Sequence, residues 1–176
     1  MFLNETGLYE YAVKALGRHM RTEAELRRLM RQRVEPGEGG EQVIATAVAR
    51  LKEHGYLNDR SFAETYARLR QENEQLGERR VRNDLRQKGV RSELIDETLG
   101  ARYAGTDEEA LARQHLARKR MKKPENEKET ARVMRRLVTA GFSTGTIYKI
   151  LRQWQVPDEA LAALERVEEE TPDDGA

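Results

Sequence analysis

Two stretches decide how this chain folds: RVRNDLRQKGVRSELIDETL from Arg80 to Leu99, and RVMRRLVTAGFSTGTIYKIL from Arg132 to Leu151. Laid over one another at an offset of 52, Val81, Leu85, Gly89, Ile95 and Leu99 fall on Val133, Leu137, Gly141, Ile147 and Leu151, and Val90 falls on Phe142. The i, i+4 spacing before the glycine, and again after it, puts each apolar set on one helical face. The glycine between the sets marks a helix end, because the closing residue commonly takes a positive φ. Each copy therefore reads as a helix, a glycine stop and a second helix. Units of this kind stack on their neighbours to complete a core, and such stacks generally bind long partners rather than carry out chemistry.

The same periodicity extends in both directions, and nothing alternates as a strand. A first helix is expected over Leu8 to His19, with Tyr9, Ala12, Val13 and Leu16 inward. Thr22 and Glu25 have capping-box spacing and open a helix bearing Leu26, Leu29 and Met30. EPGEGGE, Glu35 to Glu41, reads as a loop because proline and glycine break helices. A third helix carries Val43, Ile44, Ala47, Val48 and Leu51 and stops at Gly55. Asn58 or Asp59 caps the next, whose stripe is Phe62, Tyr66 and Leu69; Gly77 separates it from the helix of Val81 and Leu85, and Leu94, Ile95, Thr98 and Leu99 follow. Thr106 and Glu109 suggest another capping box, before a helix with Leu111, Ala112 and Leu116. The last pair carries Val133, Met134, Leu137 and Val138, then Ile147, Ile150, Leu151 and Trp154. Nine helices thus fall into three groups of three, with repeats at 1–57, 58–105 and 106–156 and an acidic segment at 157–176. Within that segment ALAALERVEEE continues as a short helix and TPDDGA is expected to be disordered.

Composition narrows the class. With 38% hydrophobic and 36% charged residues the chain can bury a core, though a thin one. No run reaches the roughly 18 apolar residues of a membrane span, and MFLNETGLYEY lacks the basic and apolar regions of a secretory signal. With no cysteine there is no disulfide, thiol nucleophile or Cys-bound zinc. A soluble, cytoplasmic monomer without membrane contact is the expectation. The net charge of +1 hides a segregation: from Asp158 onward eight carboxylates face Arg166 alone, a balance of −7, which leaves +8 on residues 1–157. A basic body suggests a polyanionic partner, although charge alone leaves open a solvated arginine-rich surface.

Catalysis finds little support. His19, His54 and His115 fall in different units at no metal-ligand spacing and read as surface or edge residues. The glycines of PGEGGE are not followed by Lys-Ser/Thr, which excludes a phosphate loop. No catalytic residue, metal site or cofactor is expected, and the chain does not read as an enzyme. Basic clusters carry more. Arg79, Arg80, Arg82, Arg86, Lys88 and Arg91 face only Glu78 and Asp84 in their stretch, with Arg79, Arg82 and Arg86 on one helical face. From Arg113 the chain adds Arg118, Lys119, Arg120, Lys122 and Lys123 without an acid, and Arg132, Arg135 and Arg136 form a third group. Arginine suits phosphate or carboxylate because its guanidinium bonds both oxygens at once. Tyr56, Phe62, Tyr66, Phe142, Tyr148 and Trp154 do not interleave with these cations and read mainly as core.

Leu51 to Arg70, LKEHGYLNDRSFAETYARLR, resembles the central signature of the RecX family of recombination regulators. Leu51, Gly55, Tyr56, Leu57, Asp59, Phe62, Ala63, Tyr66 and Arg70 match its pattern of a helix ending in Gly, an aromatic-Leu-x-Asp turn, and an aromatic-Ala start to the next helix. LGERRVRNDLRQKGV, Leu76 to Val90, is similar to the family's next segment, and Leu16, Arg18, Arg21, Thr22, Glu25 and Leu26 to the preceding one. The resemblance implies an all-α protein whose three tandem three-helix repeats form an elongated, curved right-handed helical array. It also implies binding to RecA and to the RecA–single-stranded DNA filament, with inhibition of ATPase, strand exchange and coprotease activity in recombination and the SOS response. Direct affinity for single- and double-stranded DNA goes with it. Two other classes stay open on the residues alone. One is a helix-turn-helix repressor reading bases from 91–103 and 143–154, with Arg91, Arg102, Lys149, Arg152 and Gln153 as its best contacts. The other is a helical scaffold that binds protein only.

Overall fold

The computed structural model describes residues 2–157 and 161. Of the short helix and disordered end expected beyond Pro157, Leu161 alone is described: it is helical and buried, and its amide donates to the Pro157 carbonyl at 3.2 Å, while the rest lies outside the described residues. Among the described residues the chain is all helical: α1 (Glu5–Arg18), α2 (Glu23–Arg31), α3 (Glu38–Glu53), α4 (Asp59–Glu74), α5 (Glu78–Gln87), α6 (Ser92–Tyr103), α7 (Glu108–Arg118), α8 (Glu127–Thr139) and α9 (Thr144–Gln153). The helices divide between two compact units. One comprises Met1–Arg68 with Arg82–Ala104, the other Leu69–Val81 with the chain from Gly105 on.

In the first unit α1 and α2 pack on α3 around Leu8, Ala12, Leu26, Met30, Ile44, Ala47, Val48 and Leu51, all fully or almost fully buried. The first helix starts three residues before its apolar pattern because Asn4 accepts a hydrogen bond from the Gly7 amide at 3.0 Å. The Thr22–Glu25 capping box forms as expected. The expected loop Glu35–Glu41 is shorter than the sequence suggests: Gly37, at φ +119, makes the turn and α3 begins at Glu38. Gly40 lies inside the helix because its backbone touches the preceding turn; a Cβ there would sit 3.0 Å from Val34 Cγ2 and run into the Glu35 carbonyl. Tyr56, read as core, is 53% exposed, and Leu69 is 41% exposed rather than on the α4 stripe. The residues that α4 buries are Phe62, Ala63 and Ala67. Asn58 caps that helix through the Ser61 amide, at 3.0 Å. The buried face of α6 is Leu94, Ile95, Thr98 and Leu99, as its spacing predicts.

The end of α5 meets the start of α2 in this unit. Gly89 turns the chain at φ +78, and the Thr22 hydroxyl donates to the Lys88 carbonyl at 2.5 Å. A Cβ on Gly89 would run into Ala24 Cβ. The Lys88 ammonium lies 2.8 Å from Glu25 and over the rings of Phe62 and Tyr66, at 5.7 and 5.5 Å from their centroids. The negative carbonyl end of one helix thus sits at the positive amide end of another.

The second unit repeats that joint with its own residues. The Gly77 amide, just before α5, donates to the Ala140 carbonyl at the end of α8, 2.8 Å away. Gly141 follows at φ +89, and a Cβ there would stand 2.6 Å from Arg80 Cβ and closer still to the Arg80 amide nitrogen. A Cβ on Gly77 would stand 2.6 Å from the Gly141 carbonyl carbon. Helix α9 packs on α7 and α8 over a core that includes Leu116, Leu137, Ile147, Ile150 and Leu151. The expected Thr106 cap is corrected by one residue. Asp107 accepts from the Ala110 amide at 3.0 Å, while the Thr106 hydroxyl accepts from Gln71 at 3.2 Å. Val138 is 49% exposed and does not belong to the α8 stripe.

His115 is the largest departure from the surface reading. It is 2% exposed, with Nδ1 2.9 Å from the Glu74 carbonyl oxygen and its ring edge-on to Phe142. That geometry places the proton on Nδ1, and Nε2 is buried without a partner. Burial holds its pKa below the usual 6.5; the cations Lys119, Arg136 and Arg118 act in the same direction, and the Glu74 carbonyl opposes them.

This packing makes two outcomes testable. Gly141→Ala is expected to destabilise the protein by more than about 2 kcal/mol, because a backbone clash adds to the roughly 1 kcal/mol of a left-handed alanine. Gly105→Ala, at φ +70 with open space around it, should carry only the latter, and thermal melts of the two variants separate clash from strain. For His115 the unfolded chain takes up a proton near pH 6.5 that the folded chain resists, so stability is complete above that pH and declines below it. Melting temperature should therefore fall from pH 7.5 to 5.5, and His115→Gln should lower it at pH 7.5 while flattening the slope.

Candidate nucleic-acid interface

Helix α7 ends at Arg118, and the backbone then makes a left-handed turn at Arg120, φ +53. The Met121 amide returns to the Leu116 carbonyl at 3.0 Å, and Pro124 is buried. This anchoring at both ends holds the intervening lysines outward. The next helix is capped by Asn126, which accepts from the Glu129 amide at 3.0 Å, and it presents Arg132 one turn further on. Lys119, Arg120, Lys122 and Lys123 from the loop and Arg132 from α8 line one cleft of about 310 Å³. Glu125 and Glu129 share its wall, but the Glu129 carboxylate is engaged by the Glu125 amide at 2.9 Å.

None of those five cations forms an ion pair among the described residues, and all five are exposed. Like charges crowded this way repel unless an anion enters. The neighbouring His115 reports the same field, since Lys119, Arg136 and Arg118 all disfavour its protonation. Arg118, Arg135 and Arg136 extend the exposed basic surface along α7 and α8. Arg113 is different: Glu109, one turn earlier, holds it at 2.5 Å and also accepts from Gln153 at 2.9 Å, so the run is not acid-free in space.

The basic stretch on α5 is more dispersed than its spacing suggests. Arg79 and Arg86 are exposed. Arg80 lies with its backbone against Gly141. Arg82 pairs with Asp96 and keeps only 24% of its side chain exposed. Lys88 is engaged by Glu25, and Arg91 occupies the cap position of α6. The counter-ions Asp96 and Glu25 lie 14 and 63 positions away in sequence, so helical spacing gave no sign of them. In the second unit Glu108 accepts from the Ser143 amide, the Ser143 hydroxyl and the Thr146 hydroxyl at 2.8, 2.5 and 2.5 Å. Burial raises its pKa, but those hydrogen bonds outweigh it and keep the carboxyl below its usual range, so Glu108 is an ionised structural strut.

Among the described residues no group of His, Asp or Glu is arranged to hold a metal ion. None of their helices is long and apolar enough to cross a membrane.

Comparison with known proteins bears on the family and the fold. Residues 58–99 match the family model described as RecX, second three-helix domain. The chain is 33% identical over 129 residues to Regulatory protein RecX of Mycolicibacterium vanbaalenii, covering 72% of this chain and 68% of the relative. It is 31% identical over 154 residues to Regulatory protein RecX of Salmonella newport, covering 84% and 91%. A crystal structure of regulatory protein RecX superposes with a TM-score of 0.68 at 21% identity, over 85% of this chain and 71% of the other, which shows a shared fold. With identity above 30% across more than two thirds of such relatives, on an all-helical fold shared with a solved member, the chain belongs to the RecX family of regulatory proteins.

Proposed function

We propose that this protein regulates RecA, binding RecA and its single-stranded DNA filament and damping ATP hydrolysis, strand exchange and coprotease activity in recombination and the SOS response. It acts in the cytoplasm as a monomer built of three modules, at 1–57, 58–105 and 106–156, with DNA as a direct secondary ligand. The observation that carries this reading is the cleft of Lys119, Arg120, Lys122, Lys123 and Arg132, five cations without an ion-pair partner among the described residues, in a chain of this family. A DNA-laden filament offers both missing components, phosphates for the cations and a repeated protein surface that lets several weak contacts act together. Arginine and lysine positioned by a rigid turn suit backbone phosphates rather than base edges.

The purified protein is expected to lower RecA ATP hydrolysis on single-stranded DNA at substoichiometric amounts; an unchanged rate over a wide concentration range contradicts the proposal. A footprint at one promoter sequence that persists in ~0.2 M salt, where non-specific binding fades, would favour the repressor reading instead. Replacing Lys119, Arg120, Lys122 and Lys123 by alanine should weaken single-stranded DNA binding roughly tenfold or more at ~0.1 M salt. Its salt dependence should become shallower by about 0.7 for each phosphate no longer neutralised. Replacing Arg79, Arg82 and Arg86 should act in the same direction with a smaller share from Arg82, which Asp96 already neutralises.

A further inference from the structure

The basic cleft lies beside the point from which the chain continues into its acidic end. A second cleft, of about 610 Å³, is lined by Lys123, Glu125 and Thr130 and, on its other side, by Gln155, Val156 and Pro157. It shares Lys123 and Glu125 with the cleft of Lys119, Arg120, Lys122 and Arg132. The continuous run of described residues therefore ends, at Pro157, on the wall next to a cleft whose five cations have no ion-pair partner among the described residues. Residues 158–176 carry a balance of −7, with Glu168, Glu169, Glu170, Asp173 and Asp174 concentrated toward the end. Leu161 is helical and buried, with its amide on the Pro157 carbonyl at 3.2 Å. An extended chain covers about 3.3–3.6 Å per residue, so Glu168 can lie as far as about 23 Å from Leu161, which brings the neighbouring cleft within reach.

We propose that the acidic segment beyond Leu161 docks in the Lys119–Arg132 cleft and competes there with the polyanion, so that the chain carries its own inhibitor of nucleic-acid binding. The inference rests on the proposed role of that cleft and deepens it. The physical basis is complementarity: five cations in the cleft meet two carboxylates of its own wall, one of them already engaged by a backbone amide. Added carboxylates offset the remaining repulsion. Tethering places them there at an effective concentration in the millimolar range. A DNA strand displaces them because its phosphates are denser and release condensed counterions. A contact of this kind is electrostatic and weakens as the Debye length shrinks from about 10 Å at 0.1 M salt to about 3 Å at 1 M.

The chain has no cysteine, so Ala176→Cys gives a single site for a spin label on the full-length protein. In ~20 mM salt the label should broaden the amide resonances of residues 119–123 and 132. Broadening should vanish in ~1 M salt, and also when Glu168, Glu169 and Glu170 become Gln and Asp173 and Asp174 become Asn. An absence of broadening there at low salt, or broadening that survives both treatments, overturns the docking.

Binding of a 20-nucleotide oligothymidine in ~0.1 M salt separates this inference from the function on which it rests. The neutralised segment should tighten binding roughly tenfold, and the gain should disappear when Lys119, Arg120, Lys122 and Lys123 are already alanine. A gain that persists in that background reflects net charge alone and overturns the competition. If the cleft substitutions weaken binding while neutralising the segment changes nothing, the inference fails and the cleft's function stands. If the cleft substitutions leave binding unchanged while the label still broadens the cleft, the competition is overturned along with the cleft's proposed function, and only the docking remains.

Discussion

A helix end meeting a helix start, with room only for glycine, is the constraint on which this fold depends. It occurs twice, each time within one compact unit. At Gly89 the carbonyl of Lys88 receives the Thr22 hydroxyl, and at Gly141 the carbonyl of Ala140 receives the Gly77 amide. Both glycines have positive φ, and at both a Cβ would enter a neighbour's space. A single substitution there therefore removes two things: a conformation that L side chains rarely adopt, and the close approach that aligns carbonyl and amide poles. Most surface helices tolerate small errors of placement. These joints do not: at Gly141 and Gly77 the contact is with backbone and at Gly89 with the Cβ of Ala24, and neither can rotate away to relieve it.

That constraint was legible as a repeat before it was legible as a contact. The offset of 52 put Gly89 on Gly141, since glycine stops and i, i+4 stripes are local signals. The Thr22–Glu25 capping box and the buried face of α6 were readable for the same reason. What the sequence hid depended on distant partners. His115 has an ordinary helical position, and only the Glu74 carbonyl and Phe142 ring make it a core residue. Gly39 and Gly40 look like breakers, yet the close approach of the Glu35 backbone makes Gly40 part of a helix. Tyr56 is apolar enough for a core but falls on a turn that faces out.

Charge followed the same division. Counting acids along the chain ranked the stretch around Arg82 and Lys88 beside the one around Lys119 and Lys123. In three dimensions they differ. The first is largely neutralised by Asp96 and Glu25, residues from other helices, and contributes to the fold. The second sits on a loop pinned by Met121 and Pro124, forms no ion pair among the described residues although Glu125 and Glu129 share the cleft wall, and stays available. Unpaired charge that the fold does not use is the more informative kind, because its repulsion must be offset by something outside the folded core. The nucleic-acid-bearing filament proposed as the partner would meet that requirement.

The most direct measurement of this account is hydrogen exchange on the full chain, free and bound to a RecA–single-stranded DNA filament. Binding-induced protection should concentrate on residues 118–136, the cleft loop and the first turns of α8, with the interior of α3 unchanged. Protection confined to other helices, with the 118–136 segment exchanging as fast as in the free protein, would contradict it.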